Sequence, residues 1–459
     1  MNGLSGERAG PLSADDEVPQ PARAGGVPGT PRRERFCARF RAALMPFLLV
    51  VCTAALGVGE AAPDTLLREL LAEVPRNNPD IQVAQRELDA ARSRISPAGA
   101  LDDPMLELGV INLPAQSRSF RTEDMTMKMI GLTQRLPSLG KRALRREVAE
   151  KEADAVAHNY REVSNRAVRS VKVAYVDLGL VDESARLTER NRRILEQFLA
   201  IAEARYAVGQ GSQADVLKAQ TQLSRMADEL IKLGRERPML EAELNRAIGR
   251  ASAPRPIAPS VPRAREVALR LDELREAALV HRPQLLAQQN LVARGAAAID
   301  LARKDYYPDF DVRFSYGQRD STMDMRREDM ISFTVAINLP IWGGSKREPR
   351  IAEAEAMREQ ARRMYEAQAS EIVTMLRQQV ATAEQSLKSA RLYETGVLPQ
   401  ARLAVEASIA AYNVNRVDFF TLLDNQMTVF NYEIAYAATL TSQNKALAEI
   451  EFLTGKTQF

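Results

Sequence analysis

The segment Phe310-Asp311-Val312-Arg313-Phe314-Ser315-Tyr316, followed after a charged stretch by Ser332-Phe333-Thr334-Val335-Ala336-Ile337-Asn338-Leu339, decides the fold. Aromatic and branched residues alternate with Asp, Arg, Ser and Thr, so an extended chain carries one apolar and one polar face, the period-2 pattern of a strand. The intervening Gln318 to Asp329 is highly charged and reads as an extracellular hairpin loop, where charges stay in water. Met105 to Leu113 and Met125 to Leu136 repeat the pattern more weakly. Each strand is about ten residues, the length a tilted outer-membrane strand requires. Four such strands cannot close a membrane barrel, for which about eight are needed. An open edge in lipid would leave backbone groups unpaired at a cost of several kcal/mol each. Chains must therefore share a barrel if the apolar face meets lipid; a soluble four-stranded sheet with one wet face is the alternative.

The flanking segments are helical. Asp64 to Ser96 and Leu271 to Lys304 each contain an X-Pro step near the middle, at Pro79 and Pro283, which breaks or kinks a helix. Between Lys141 and Val208 there is a single glycine, Gly179, and no proline. Val156, Tyr160, Val163, Ala167, Val171, Ala174, Leu178, Val181 and Ala185 step there by threes and fours as a heptad-like seam. A helix of that length rises about 100 Å, well beyond a globular core. The matching stretch Arg350 to Tyr412 is expected to break at Gly396 and Pro399. Return helices follow, about Gln213 to Ile248 and Phe419 to Leu453, with Gly249 and Gly455 as C-terminal stops.

The mature chain states one sequence twice. Pro79 recurs as Pro283, Pro104 as Pro308, Leu136-Pro137 as Leu339-Pro340, Arg142 as Arg347 and Tyr206 as Tyr412, at offsets drifting only from 203 to 206 residues. Such a register marks a tandem duplication of units too long for a solenoid. The expected organisation is a leader over 1–62, a first repeat over 63–250, a Pro-rich linker over 251–263 and a second repeat over 264–459.

Composition excludes several functions. A net charge of +3 offers no basic field, so nucleic acid is not an expected partner. Aromatics are only 5% of the residues, which argues against an aromatic-rich β-sandwich. With two histidines, His158 and His281, and two cysteines, Cys37 and Cys52, one chain cannot build a zinc ribbon, a His/Cys metal cage or a Cys/His dyad. Residues 1–30 are rich in Gly and Pro and carry no apolar periodicity. Arg32, Arg33, Arg35, Arg39 and Arg41 then precede an apolar run from Ala42 to Gly57 and small residues up to Ala62, the layout of a secretory signal. An uncleaved anchor helix and a lipid anchor at Cys52 are the other readings of this segment. Cleavage between Ala55 and Ala62 would remove both cysteines.

Tyr206-Ala207-Val208-Gly209-Gln210-Gly211-Ser212-Gln213-Ala214-Asp215 and Tyr412-Asn413-Val414-Asn415-Arg416-Val417-Asp418-Phe419-Phe420-Thr421-Leu422-Leu423-Asp424 resemble the helix-turn-helix signature of the TolC-like outer-membrane efflux proteins. Leu132 to Pro137 and Leu339 to Gly344 are similar to that family's strand-to-helix junctions, and the resemblance covers roughly residues 64–457. It implies a mainly α-helical chain carrying four strands, three copies of which build a twelve-stranded outer-membrane β-barrel continued by a periplasmic coiled-coil tunnel. The implied partners are outer-membrane lipid, a periplasmic adaptor and an inner-membrane pump of the resistance-nodulation-division (RND) class. Arg416 to Asp424 and the second junction look most like the heavy-metal efflux branch. The resemblance implies no enzyme activity and no cofactor.

By position in the motif, Asp424 matches an aperture aspartate, Asp215 the first-half aspartate that receives a bond, and Tyr412 its aromatic partner. Two departures stand out: Thr421 occupies the place of a further aspartate, and Val417 that of an arginine, with Arg416 one residue earlier. Under three-fold symmetry each aspartate becomes a ring of three, and ringed carboxylates select cations. For Asp215 and Asp418, capping of the return helices is the competing role. Met125, Met127 and Met129, with Met323, Met325 and Met330 beside the other hairpin loop, are soft thioether donors suited to Cu(I), or else apolar lipid-facing or loop residues. His158 and His281 read as surface or packing residues. No convergent acid/base or nucleophile group is visible. An export duct thus stands against a periplasmic coiled-coil adaptor or scaffold, which would lack the four amphipathic strands.

Overall fold

A computed structural model describes residues 65–261, 263–323 and 325–456. The leader, its apolar run, both cysteines and the proposed cleavage zone lie outside the described residues. The chain runs α1 (Thr65–Asn77), α2 (Pro79–Gly99), β1 (Met105–Ile111), β2 (Met127–Leu136), α3 (Lys141–Ala207) and α4 (Gln213–Ile248), then α5 (Leu271–His281), α6 (Pro283–Lys304), β3 (Phe310–Gln318), β4 (Met330–Ile337), α7 (Glu348–Leu392), α8 (Leu398–Asn413) and α9 (Phe419–Thr454). The expected order therefore occurs twice.

The two halves reuse the same local devices. The first helix of each breaks at the X-Pro step. Asn78 caps α2 by accepting from the amides of Asp80 (2.9 Å) and Ile81 (3.2 Å), and its own amide reaches the Ala247 carbonyl at 2.7 Å. Gly249, at φ 93°, ends α4 against this break, where any Cβ would overlap the Asn77 carbonyl. Gly455, at φ 68°, ends α9 against the other break, with a Cβ only 2.8 Å from the His281 carbonyl oxygen. Only glycine satisfies both the left-handed backbone and the close approach. Similarly, Arg142 Nε donates to the Gly99 carbonyl at the end of α2 (2.9 Å), and Arg347 Nε to the Asp305 carbonyl at the end of α6 (2.7 Å).

The cores repeat as well. Leu70, Val74, Ile81, Val171, Leu244 and Ile248 cluster in the first half, and Leu274, Ala278, Leu285, Leu376, Ile450 and Leu453 in the second. The Pro-rich segment between them is docked rather than loose. Ile257 is buried in the first cluster, and the Ser260 amide donates to the Tyr175 hydroxyl at 3.1 Å. Further along, the Arg265 amide donates to Gln443 Oε1 at 3.1 Å.

The strands form one antiparallel sheet in the order β1-β2-β3-β4, so β2 of the first half pairs with β3 of the second. Register places Leu132 opposite Phe314 and Phe314 opposite Phe333 on one face, and Thr133 opposite Arg313 and Arg313 opposite Thr334 on the other. Along β2 the burial is inverted relative to a soluble sheet, and β4 is exposed on both faces. Phe333 and Ile331 are each 69% exposed and Leu108 74%, whereas Met127, Met129, Gly131 and Thr133 on the polar face are partly or fully buried. On that polar face Arg313 is ion-paired to Glu107, which also accepts from Thr133 Oγ1 at 3.1 Å. At the strand-to-helix junction buried Lys141 holds Asp309 (3.1 Å) and Asp305 (3.0 Å), tying the start of α3 to the foot of β3.

Three expectations need correction. β1 stops at Ile111 and β2 starts at Met127, because Asn112 turns left-handed (φ 52°) and buried Thr126 donates to the Asn112 carbonyl at 2.7 Å. Met125 thus precedes the strand, and Met127 and Met129 lie on the polar face rather than towards lipid. The helix expected to break at Gly396 and Pro399 is instead relieved by a π-helical turn, Tyr393–Val397, with Pro399 in the first turn of α8, where its missing N–H costs nothing. The charged loop between β3 and β4 is not wholly solvated. The Arg327 side chain is only 7% exposed, pairs with Asp124 at 2.6 Å and donates to the Arg121 carbonyl at 3.2 Å, linking the two hairpin loops.

Candidate functional site

The turns α3–α4 and α8–α9 carry the candidate residues and have one backbone. Gly209 N donates to Tyr206 O (3.0 Å) and Gln210 N to Arg205 O (2.9 Å); Asn415 N donates to Tyr412 O (3.1 Å) and Arg416 N to Ala411 O (2.9 Å). Gly209 and Asn415 hold the left-handed position at φ 71° and 57°, the two residue types that adopt it most cheaply.

Each following helix opens with a cap. The Ser212 hydroxyl accepts from the Ala214 amide (3.1 Å), and Asp215 reciprocates by accepting from the Ser212 amide (3.4 Å), a capping box. Asp418 caps α9 by accepting from the Thr421 amide at 3.1 Å and from the Thr421 hydroxyl. That hydroxyl first, the amide second, and Lys218 more weakly hold its carboxyl below the usual aspartate range. Asp215 and Asp418 therefore both have the capping geometry.

Tyr412 lies inward. It is only 6% exposed, its ring 5.8 Å from that of Phe419, in a cluster with Phe198, Ala202, Leu422 and Leu423. Arg416 and Asp424 are exposed. Among the described residues, no bond joins Asp215, Arg416 and Asp424 to one another.

The residue that sequence reasoning missed is Arg205. Its guanidinium sits 4.1 Å above the Tyr412 ring and donates to the Tyr412 carbonyl (2.9 Å), the Asn413 carbonyl (3.3 Å) and Asn415 Oδ1 (2.8 Å). The last turn of α3 thus supplies the cation that caps the carboxyl end of α8, whose terminal carbonyls have no partner within their own helix. The duplication hides this contact, since the repeat mate of Arg205 is Ala411.

Behind the turns, polar groups are buried in pairs. Gln426 Nε2 donates to Asn191 Oδ1 at 2.8 Å, and Asn191 Nδ2 faces Met226 Sδ (3.4 Å) and Met427 Sδ (3.6 Å). Buried Glu433 accepts from Arg190 and from Arg402 (2.7 Å), joining α3, α8 and α9. Further from the turns Glu162 pairs with Arg282 at 3.1 Å, and burial pushes the glutamate upward. One turn before it, His158 has a buried Nδ1 without a partner, and burial lowers its basicity. His281 is exposed. Among the described residues no three His, Cys, Asp or Glu side chains converge as a metal site.

A model of the family described as outer membrane efflux protein matches residues 70–250 and again 274–456. The cobalt-zinc-cadmium resistance protein CzcC of Cupriavidus metallidurans is 23% identical over 405 residues, covering 86% of this chain and 91% of that protein. The outer membrane efflux protein BepC of Brucella suis is 22% identical over 82% of each. Among solved structures, CusC superposes with a TM-score of 0.74 at 15% identity, covering 86% of this chain and 93% of that chain. VceC of Vibrio cholerae superposes at 0.72 and 17% identity, covering 85% and 96%.

Proposed function

The chain belongs to the outer membrane efflux protein family, and on that premise we propose that three copies form one duct, with twelve strands closing a barrel in the outer membrane and the long helices forming a tunnel through the periplasm. The observation that carries this reading is the inverted sheet: its apolar face is exposed and its polar face bears Glu107 and Arg313. Water would penalise that arrangement and lipid rewards it. Closure of three four-stranded sheets also removes the open edges at β1 and β4. A periplasmic scaffold gives the exposed apolar face no role.

The duct receives its solute from an inner-membrane RND-type pump through a periplasmic adaptor. The resemblance to the cobalt-zinc-cadmium resistance protein supports heavy-metal cations as the solute class. The periplasmic end is the pair of turns described above, where Asp215, Tyr412, Arg416, Asp418 and Asp424 form the gate. Three-fold symmetry brings three copies of exposed Asp424 towards one axis, and a ring of carboxylates favours cations. The Arg416 side chain, which has no partner among the described residues, is free to bond a neighbouring copy.

Migration of unboiled against boiled outer-membrane fractions tests barrel and trimer together. Phe314→Asp should abolish the heat-sensitive trimer band and Ser315→Asp should keep it; equal behaviour of the two defeats the barrel. Ser315 tests the polar face without breaking an ion pair, since Arg313 on the same face is engaged by Glu107. In planar bilayers Asp424→Ala should lower the cation-to-anion permeability ratio, and Tyr412→Phe with Arg416→Ser should raise conductance. Trimers that conduct and select as the parent does would return these residues to capping and packing roles.

A further inference from the structure

We infer that Met127, Met129 and Met330 form a site for a soft monovalent cation of the Ag(I)/Cu(I) class on the polar face of the sheet. The site lies within one chain and is independent of the barrel reading. Strand register places Gly109, Met129, Gly317 and Met330 in one row across β1 to β4. Two methionines therefore flank a glycine, one strand away on each side. Neighbouring strands lie about 4.8 Å apart, so the two Cα atoms are separated by roughly twice that spacing, a gap that two unbranched, flexible methionine side chains can close from either side.

The third sulfur already sits over the gap. A Cβ on Gly317 would stand only 2.5 Å from Met127 Sδ, so the thioether occupies the space that any other residue at 317 would fill. Met127 and Met129 are both partly buried, on a face otherwise furnished with Thr133, Ser315, Ser332 and Thr334. Three neutral thioethers within reach of this row, one placed by its sulfur and two by register, suit a soft, low-charge ion and discriminate against hard divalent ions, which prefer oxygen. The nearest acid on this face, Glu107, is engaged by Arg313 and Thr133, so no carboxylate competes for the role. An uncharged site also binds weakly enough to release an ion, as a conduit requires.

Silver nitrate titrated into the purified full-length protein in chloride-free detergent buffer tests this. The parent should bind one Ag(I) per chain that Met127→Leu/Met129→Leu/Met330→Leu loses, while Met323→Leu/Met325→Leu in the exposed loop retains it. Gly317→Ala keeps every sulfur but displaces Met127 and should weaken binding by about tenfold or more, the scale on which supporting residues act at metal sites. X-ray absorption at the silver edge of the parent should show a sulfur-only first shell, a readout that needs no variant. Retention of the ion by the triple variant, unchanged affinity in Gly317→Ala, an oxygen or nitrogen shell, or equal competition by Zn(II) would each overturn the assignment.

Discussion

The turns after Tyr206 and Tyr412 share a backbone and differ in one decisive environment. Tyr206 is 50% exposed and Tyr412 6%, although the hydrogen bonds that close the two turns match to within 0.1 Å. Tyr412 packs among Phe198, Ala202, Phe419, Leu422 and Leu423, and Arg205 lies over its ring and seals the end of α8; the repeat mates of Arg205 and Phe419 are Ala411 and Gln213. Duplication thus preserved what the backbone requires, a left-handed residue and a cap. Side-chain changes, Arg205 against Ala411 and Phe419 against Gln213, then made the second turn a packed element and left the first at the surface. A conformational change at this end should begin where Arg205 lets go.

The largest test compares the two tyrosines. Tyr412→Ala empties a buried site and should cost about 3 kcal/mol, seen as roughly hundredfold faster hydrogen exchange of the α8–α9 turn amides. Tyr206→Ala should stay within about 0.5 kcal/mol. Equal effects would mean that the turns are mechanically equivalent. Next is Arg205→Ala, which removes a cation–π contact and charged caps together and should cost about 2 kcal/mol. Exchange should rise over 412–418 while 206–212 remains unchanged. A uniform rise at both turns would show that Arg205 supports the end of α3 rather than clamping α8.

Much of this was legible in the sequence, for identifiable reasons. The Pro79 and Pro283 breaks, the Gly249 and Gly455 stops and the period-2 strands are local chemistry, and the bounds of α4 matched the structure because a capping box and a glycine enclose it. What escaped depended on tertiary partners. The limit of β1 is set by Thr126 reaching Asn112, and the relief at Gly396 by a π turn. Arg205 was invisible because its target lies 207 residues away and has no counterpart in the other repeat. Between thioether donors and apolar lipid-facing or loop residues the sequence does not choose for the methionines; register gives Met127, Met129 and Met330 the polar face, while Met323 and Met325 stand exposed in the loop.

A smaller effect separates the caps. Ser212→Ala should cost about 1 kcal/mol at the start of α4, independent of pH in so far as the hydroxyl carries it. Asp418→Ala should loosen α9 in a pH-dependent way. The Asp418 carboxyl is held below its ordinary value of 3.8, so its contribution is fully present above that value and disappears as pH falls through the lower, folded-state value. Hydrogen exchange of the first α9 turn should therefore distinguish parent from Asp418→Ala at neutral pH and fail to do so in strong acid. Persistence of the difference in acid would show that the neutral carboxyl caps the helix as well as the ionised one does.

The smallest effect is the most discriminating, an exchange of the two left-handed residues, Gly209→Asn with Asn415→Gly. At position 209 asparagine tolerates φ 71° at a cost of a few tenths of a kcal/mol and restricts the unfolded chain, so the two terms nearly cancel. At position 415 glycine relaxes the backbone but removes the oxygen that accepts from Arg205 Nη1 at 2.8 Å, a partly solvated bond contributing about 0.5–1 kcal/mol. The net change should be under about 1 kcal/mol and confined to the second turn. If exchange rises there and not in Arg205→Ala/Asn415→Gly relative to Arg205→Ala, the asymmetry resides in the guanidinium contact. If instead the first turn tightens and the second is indifferent, the backbone residue sets the difference and the clamp is incidental.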